Sequence, residues 1–181
     1  MIEISFVCLE TTLVIVWLLV RIVLCVHRRR IDWRQELLSL ALLVSVAAIL
    51  RFTMFPFHMV NGKIEPLPLD FSRMFPPRLN LIPFAEFFTY DSTSDILINI
   101  IGNPAMFVPV GILLPIAYPR LNTCAKVVGT GALISLAIEL VQLPFYTRVT
   151  DINDLMLNTL GVAIGYGVYS LVKHVAGRRR A

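Results

Sequence analysis

Glu139 lies inside an apolar run, and Ser135 and Gln142 share its helical face at i, i+4, i+7 spacing. A second polar stripe runs Asp151, Asp154, Asn158, Gly161, Gly165 at steps of three and four, with Arg148 just ahead of it. Asn99 and Asn103 form a third, and Arg51 with Thr53 a fourth. Carboxylates in such settings can do acid–base work if desolvation raises a pKa. Guanidinium groups can hold phosphate or carboxylate, and carboxamides supply neutral hydrogen bonds. Plainer readings stand beside these. Asp151 and Asp154 suit the cap of a helix N-terminus, and the asparagines suit interhelical hydrogen bonds. Glu139 with Arg51 or Arg148 would make a structural ion pair, Arg51 can snorkel, and Gly161-x-x-x-Gly165 is a close-packing pattern.

No nucleophile elbow, P-loop or zinc motif is present. Among the three histidines, His58 is separated from His27 and His174, so no multi-histidine metal site and no cofactor is expected, and no catalytic residue is assigned. The three cysteines, at 8, 25 and 124, have no C-x-x-C spacing and read as structural thiols.

The elements that must position these residues follow from composition. Of 181 residues, 57% are apolar and 15% charged, and the mean hydropathy is +0.77. A soluble domain runs about 45–50% apolar and about 25% charged. A disordered chain, a disulfide scaffold and a nucleic-acid module are therefore excluded, and the net charge of +4 is assigned to membrane topology. Crossing about 30 Å of hydrocarbon takes about 20 apolar residues. Five segments qualify, at about 4–26, 37–57, 96–118, 127–145 and 155–175. The fold class is all-α, an integral membrane bundle of five helices in a single membrane domain, 1–181, with a long loop between helices 2 and 3. The first segment is read as a retained anchor, because four cationic residues follow it.

Ten Lys and Arg residues fall in the 27–34 loop, the 119–126 loop and the tail, against Lys63, Arg73, Arg78 and Arg148 on the other side. The positive-inside rule then puts the C-terminus in the cytoplasm and the N-terminus outside. Asp32 and Glu36 are the only acids on the inner side. The outer 58–95 loop, rich in Phe and Pro, is expected to lie over the helices or dip into the bilayer.

With that orientation, Arg51, Asn103, Glu139, Gln142, Asp154 and Asn158 all fall in the outer leaflet. Glu139 is about five residues, or ~7 Å, below the surface. Polar side chains facing lipid would be unsatisfied, so they should turn inward and meet. The expectation is a polar pocket opening outward under the loop. Pro104 and Pro109 are expected to distort the third helix beside Asn103.

Four stretches resemble the VanZ-like family of small membrane proteins. They are Asn80-Leu-Ile-Pro-Phe84, the Asn103…Phe107-Val-Pro109-Val-Gly111 run, Ser135-x-x-x-Glu139-x-x-Gln142, and Arg148-x-x-Asp151-x-x-Asp154-x-x-x-Asn158-x-x-Gly161. The family pattern covers about 51–175. The resemblance implies a multi-pass protein of the bacterial cytoplasmic membrane, connected with susceptibility to teicoplanin-type glycopeptides.

The leading expectation is a binding or modulating protein rather than an enzyme. Its partners would be membrane lipids, a lipid-linked cell-wall precursor or a lipoglycopeptide, with no nucleic acid. Arg51 and Arg148 would meet the anion. Glu139, Asp151 and Asp154 would orient them, and Asn80, Asn103, Gln142 and Asn158 would add neutral hydrogen bonds. The alternatives are an enzyme acting on a lipid-linked substrate and a small transporter. Against transport, the polar residues stop in the outer half of the spans.

Overall fold

Ser5 opens the first long helix by accepting the Cys8 N–H on its hydroxyl at 3.2 Å. In the computed structural model, which describes residues 2–55, 59, 62–75, 77–84 and 97–178, that helix is α1 (Phe6–Arg28). Arg29 ends it in a left-handed conformation, φ 52°. Asp32 then caps α2 (Trp33–Met54), accepting the Arg34 and Gln35 N–H groups at 3.1 and 3.3 Å. The cationic turn thus carries a stop signal and a start signal a few residues apart, and the chain reverses into a helical hairpin.

The remaining helices are α3 (Asn103–Ala117), α4 (Cys124–Gln142) and α5 (Ile152–Arg178). Among the described residues, five helices are long and apolar enough to cross a membrane. The starts of α1, α2, α4 and α5 lie within about four residues of expectation, because caps rather than hydropathy set the ends. The short strands β1 (Ile2–Ile4), β2 (Leu67–Leu69), β3 (Leu79–Asn80) and β4 (Thr150–Asp151) make two-stranded pairs only, so the fold class is all-α.

Burial in α1 is inverted relative to a helix of a soluble protein. The single buried residue of α1 is Arg21, while Val14, Ile15, Val16, Leu19, Ile22 and Val23 are exposed. Burying one Leu-sized side chain from water is worth about 1.5–3 kcal/mol. A 23-residue helix leaving its aliphatic side chains outward is therefore built for lipid.

Two compact units divide the chain. The first joins 1–78 to 142–149. Its α1–α2 hairpin carries a polar ladder: Trp17 Nε1 donates to Ser39 Oγ at 3.0 Å, and Arg21 makes a two-pronged ion pair with Glu36. Positions 17 and 21 are one turn apart on one face. β1 pairs antiparallel with β2, Ile2 opposite Leu69, and Phe145 bridges Leu69.

The second unit joins 79–141 to 150–181. β3 pairs parallel with β4, Asn80 opposite Asp151. α3 and α5 meet backbone to backbone. A Cβ on Gly161 would stand 2.1 Å from the Pro104 carbonyl oxygen, and one on Gly165 would stand 2.1 Å from that of Val108. Only glycine allows that approach. Gly161 and Gly165 are therefore packing residues. The expected irregularity of the third span is a widened turn at Ile98–Gly102, directly before Asn103. Beyond it α3 continues as a helix with Pro109 and Pro115 inside it.

Candidate functional site

The N-terminal turn of α5 gathers the polar side chains of the second unit. Asp151 caps the helix, its Oδ1 accepting the Asn153 N–H at 2.8 Å. Its Oδ2 accepts from Asn80 Nδ2 at 3.2 Å, which ties β3 to β4 through side chains as well as backbone. The Asp151 N–H donates to Glu139 Oε2 at 3.0 Å, and Thr150 Oγ1 donates to the Glu139 carbonyl at 2.9 Å. Glu139, 3% exposed, is thus held against the start of α5, where the helix dipole favours a carboxylate. One turn along, Asp154 Oδ1 accepts from Asn103 Nδ2. Another turn along, Asn158 Nδ2 donates to Ser135 Oγ at 3.0 Å, with both residues at most 1% exposed.

Of the nine residues singled out in the sequence, Asn80, Asn103, Glu139, Asp151, Asp154 and Asn158 occupy this one cluster. Asn80 is separated from Asp151 by 71 positions in the chain and Asn103 from Asp154 by 51.

The other three belong to the first unit. Gln142 Nε2 donates to the Thr53 carbonyl and Arg148 Nε to the Met54 carbonyl, each at 2.8 Å. These are carbonyls at the C-terminus of α2, which have no partner within the helix. A cation there also complements the dipole. Arg51 sits 5.7 Å from the Phe6 ring centre and 5.5 Å from that of Phe52. Ser135, Glu139 and Gln142 are all buried, as one helical face requires. Asn99 falls in the widened turn, so it and Asn103 are not at regular helical spacing. His58 and residues 85–96 of the outer loop lie outside the described residues.

Asn153 was not anticipated. Its Oδ1 accepts the Phe84 N–H at 2.8 Å, and Phe84 has φ 64°, which costs a bulky residue about 1–2 kcal/mol. Asn153 lies off the stripe that picked out its neighbours, and burial alone marks it. Two buried polar atoms of the cluster have no hydrogen-bond partner among the described residues: Asn153 Nδ2, a donor, and Asn158 Oδ1, an acceptor. Leaving such an atom unsatisfied costs about 1–3 kcal/mol. Among the described residues, no group of three or more His, Cys, Asp and Glu is placed to hold a metal ion.

Arg21 and Glu36 were also missed, although a charge 15 residues from its opposite across a short turn is legible once the hairpin is drawn. The expectation that polar residues stop in the outer half of the spans needs correction here. Arg21, 6% exposed, lies in the last two turns of α1, on the side of the cationic turn.

An all-α, multi-pass membrane protein that buries carboxylates and carboxamides between its spans is the class these features define. The chain belongs to the VanZ/LLP1 family, whose model matches residues 37–173. Over 93 residues it is 30% identical to Protein VanZ of Enterococcus faecium, covering 51% of this chain and 53% of that one. The chain thus spans about half the length of that curated relative. No solved structure matches it.

Proposed function

We propose that this protein modulates susceptibility to teicoplanin-type glycopeptides, or the availability of the envelope lipid they act upon, by binding a polar headgroup at the start of α5. The observation that carries this reading is a pair of buried atoms, Asn153 Nδ2 and Asn158 Oδ1, without a partner among the described residues, in a cluster tied together by the hydrogen bonds of Asn80, Asn103, Glu139, Asp151 and Asp154. Hydroxyl and amide groups of sugar and peptide headgroups both donate and accept, so such a headgroup carries a partner of each kind. Glu139 and Asp154 would contribute charge, and Asn80 and Asn103 hold Asp151 and Asp154 in place. The setting proposed is the bacterial cytoplasmic membrane, with the N-terminus and this cluster toward the outside. Membership in the VanZ/LLP1 family and the Enterococcus relative support the link to glycopeptides.

The test is teicoplanin and vancomycin susceptibility of a sensitive Gram-positive host. It would carry wild type, Glu139→Gln, Asp154→Asn or Asn158→Ala, with membrane levels matched by blot. Protection by wild type, greater for teicoplanin, and its loss in the variants are expected. Full protection by all three variants would overturn the reading.

A further inference from the structure

We propose that the cavity at the α1–α2 turn, lined by Arg28 and Arg30, binds the phosphate group of an anionic phospholipid. Arg21, Leu24, Cys25, Asp32 and Glu36 complete the lining of this cavity, about 200 Å³ in volume. That is below the roughly 300–1,000 Å³ of sites for drug-sized ligands. It still equals several waters at about 30 Å³ each, which is room for a phosphate and part of its ester.

The charges within the cavity are unequally matched. Arg21 is committed to Glu36 by two hydrogen bonds, and Cys25 Sγ also reaches Glu36. Asp32 is committed to the N-terminus of α2, which removes that helix end as an anion site. Arg28 and Arg30 make no hydrogen bond or ion pair with the described residues, although the Arg28 charge also acts on the Glu36 carboxylate. The lining carries three guanidinium groups against two carboxylates, and the two that make no hydrogen bond match the oxygens of a phosphate, which they can bind two-pronged.

The surroundings select a lipid over a soluble phosphate. Val23, Val26, Ile31, Trp33 and Leu37 are exposed on both sides of the turn, Trp33 at 72%. An indole standing outward beside cations is the arrangement of a membrane interface. Acyl chains would lie along the outward aliphatic face of α1 while the headgroup enters between the helices. Basic pockets between spans are suited to anionic headgroups. The positive-inside rule explains why cations are in this loop, but not why two of them line a cavity. The residues involved are separate from those of the α5 cluster, so this inference stands or falls apart from the proposed function.

The experiment is native mass spectrometry of the full chain in detergent, titrated with phosphatidylglycerol, phosphatidylcholine or inorganic phosphate. Phosphatidylglycerol should bind about tenfold tighter than phosphatidylcholine. Arg28→Gln with Arg30→Gln should bring it down to the phosphatidylcholine level. Arg29→Asn with Arg34→Gln removes the same charge from the same turn but from outside the cavity, and should retain the preference. Both double variants should unfold at the wild-type temperature. Equal loss in the two double variants would assign the effect to loop charge and overturn the site. So would the absence of a headgroup preference. Displacement of phosphatidylglycerol by millimolar inorganic phosphate would overturn the lipid as its source.

Discussion

Replacing Arg21 alone and replacing it together with Glu36 should have opposite consequences. The pair is 7% and 20% exposed at its side chains and is doubly hydrogen-bonded. Removing one member of a buried pair leaves an uncompensated charge and costs about 3–5 kcal/mol, whereas apolar replacement of both is often neutral. Arg21→Met should therefore unfold at distinctly lower denaturant in a detergent titration, and Arg21→Met with Glu36→Leu should recover most of the loss. At Ser135 the effect is smaller. Ser135→Ala takes the partner of Asn158 Nδ2, and an interhelical hydrogen bond within a membrane averages about 0.6 kcal/mol. A loss of that order in the same titration is expected. Asn80, Asn103, Asp151 and Asn158 were legible as candidates from their types. That Gln142 and Arg148 serve the end of α2 was not, because a capping contact 89 or 94 residues away leaves no local pattern.

Among the helices, α3 and α5 make the test of glycine. Gly161→Ala would drive a Cβ into the backbone of Pro104, which no rotamer change relieves. A destabilisation of about 1–3 kcal/mol should follow. Gly167, on the same helix, has nothing within 4 Å of where a Cβ would stand. There Gly167→Ala should be neutral or stabilising by up to about 1 kcal/mol, since only helix propensity changes. Thermal unfolding of the two variants side by side separates packing from propensity. For α2, Asp32→Ala deletes the side-chain cap and should cost about 1 kcal/mol. The i, i+4 periodicity named these faces correctly where the helix is regular. Asn99 lies in the widened turn before Asn103, where the angular spacing differs from that of a regular helix.

For the molecule as a whole, the five apolar helices and the placement of cations make an orientation testable. With Cys8 and Cys25 changed to Ser, Cys124 is the remaining natural thiol, and it is exposed. A membrane-impermeant maleimide should label Cys124 only after the cells are opened. In a background with Cys124→Ser added, Tyr146→Cys should be labelled on intact cells, since Tyr146 is exposed and belongs to the side expected to face out. The reverse pattern would place both termini and both loops on the opposite sides.

The sequence by itself determined that this chain crosses a membrane five times, and which helical faces are polar. Hydropathy and side-chain period are local properties, complete within about 20 residues. Family membership was likewise visible in four short stretches. Tertiary structure decided which polar groups meet: Asn80 with Asp151, Asn103 with Asp154, Asn158 with Ser135, and Arg21 with Glu36. It also decided which buried atoms have no partner among the described residues, Asn153 Nδ2 and Asn158 Oδ1. Residue type says that a buried polar atom needs a partner. Only the packing of distant segments says whether it has one.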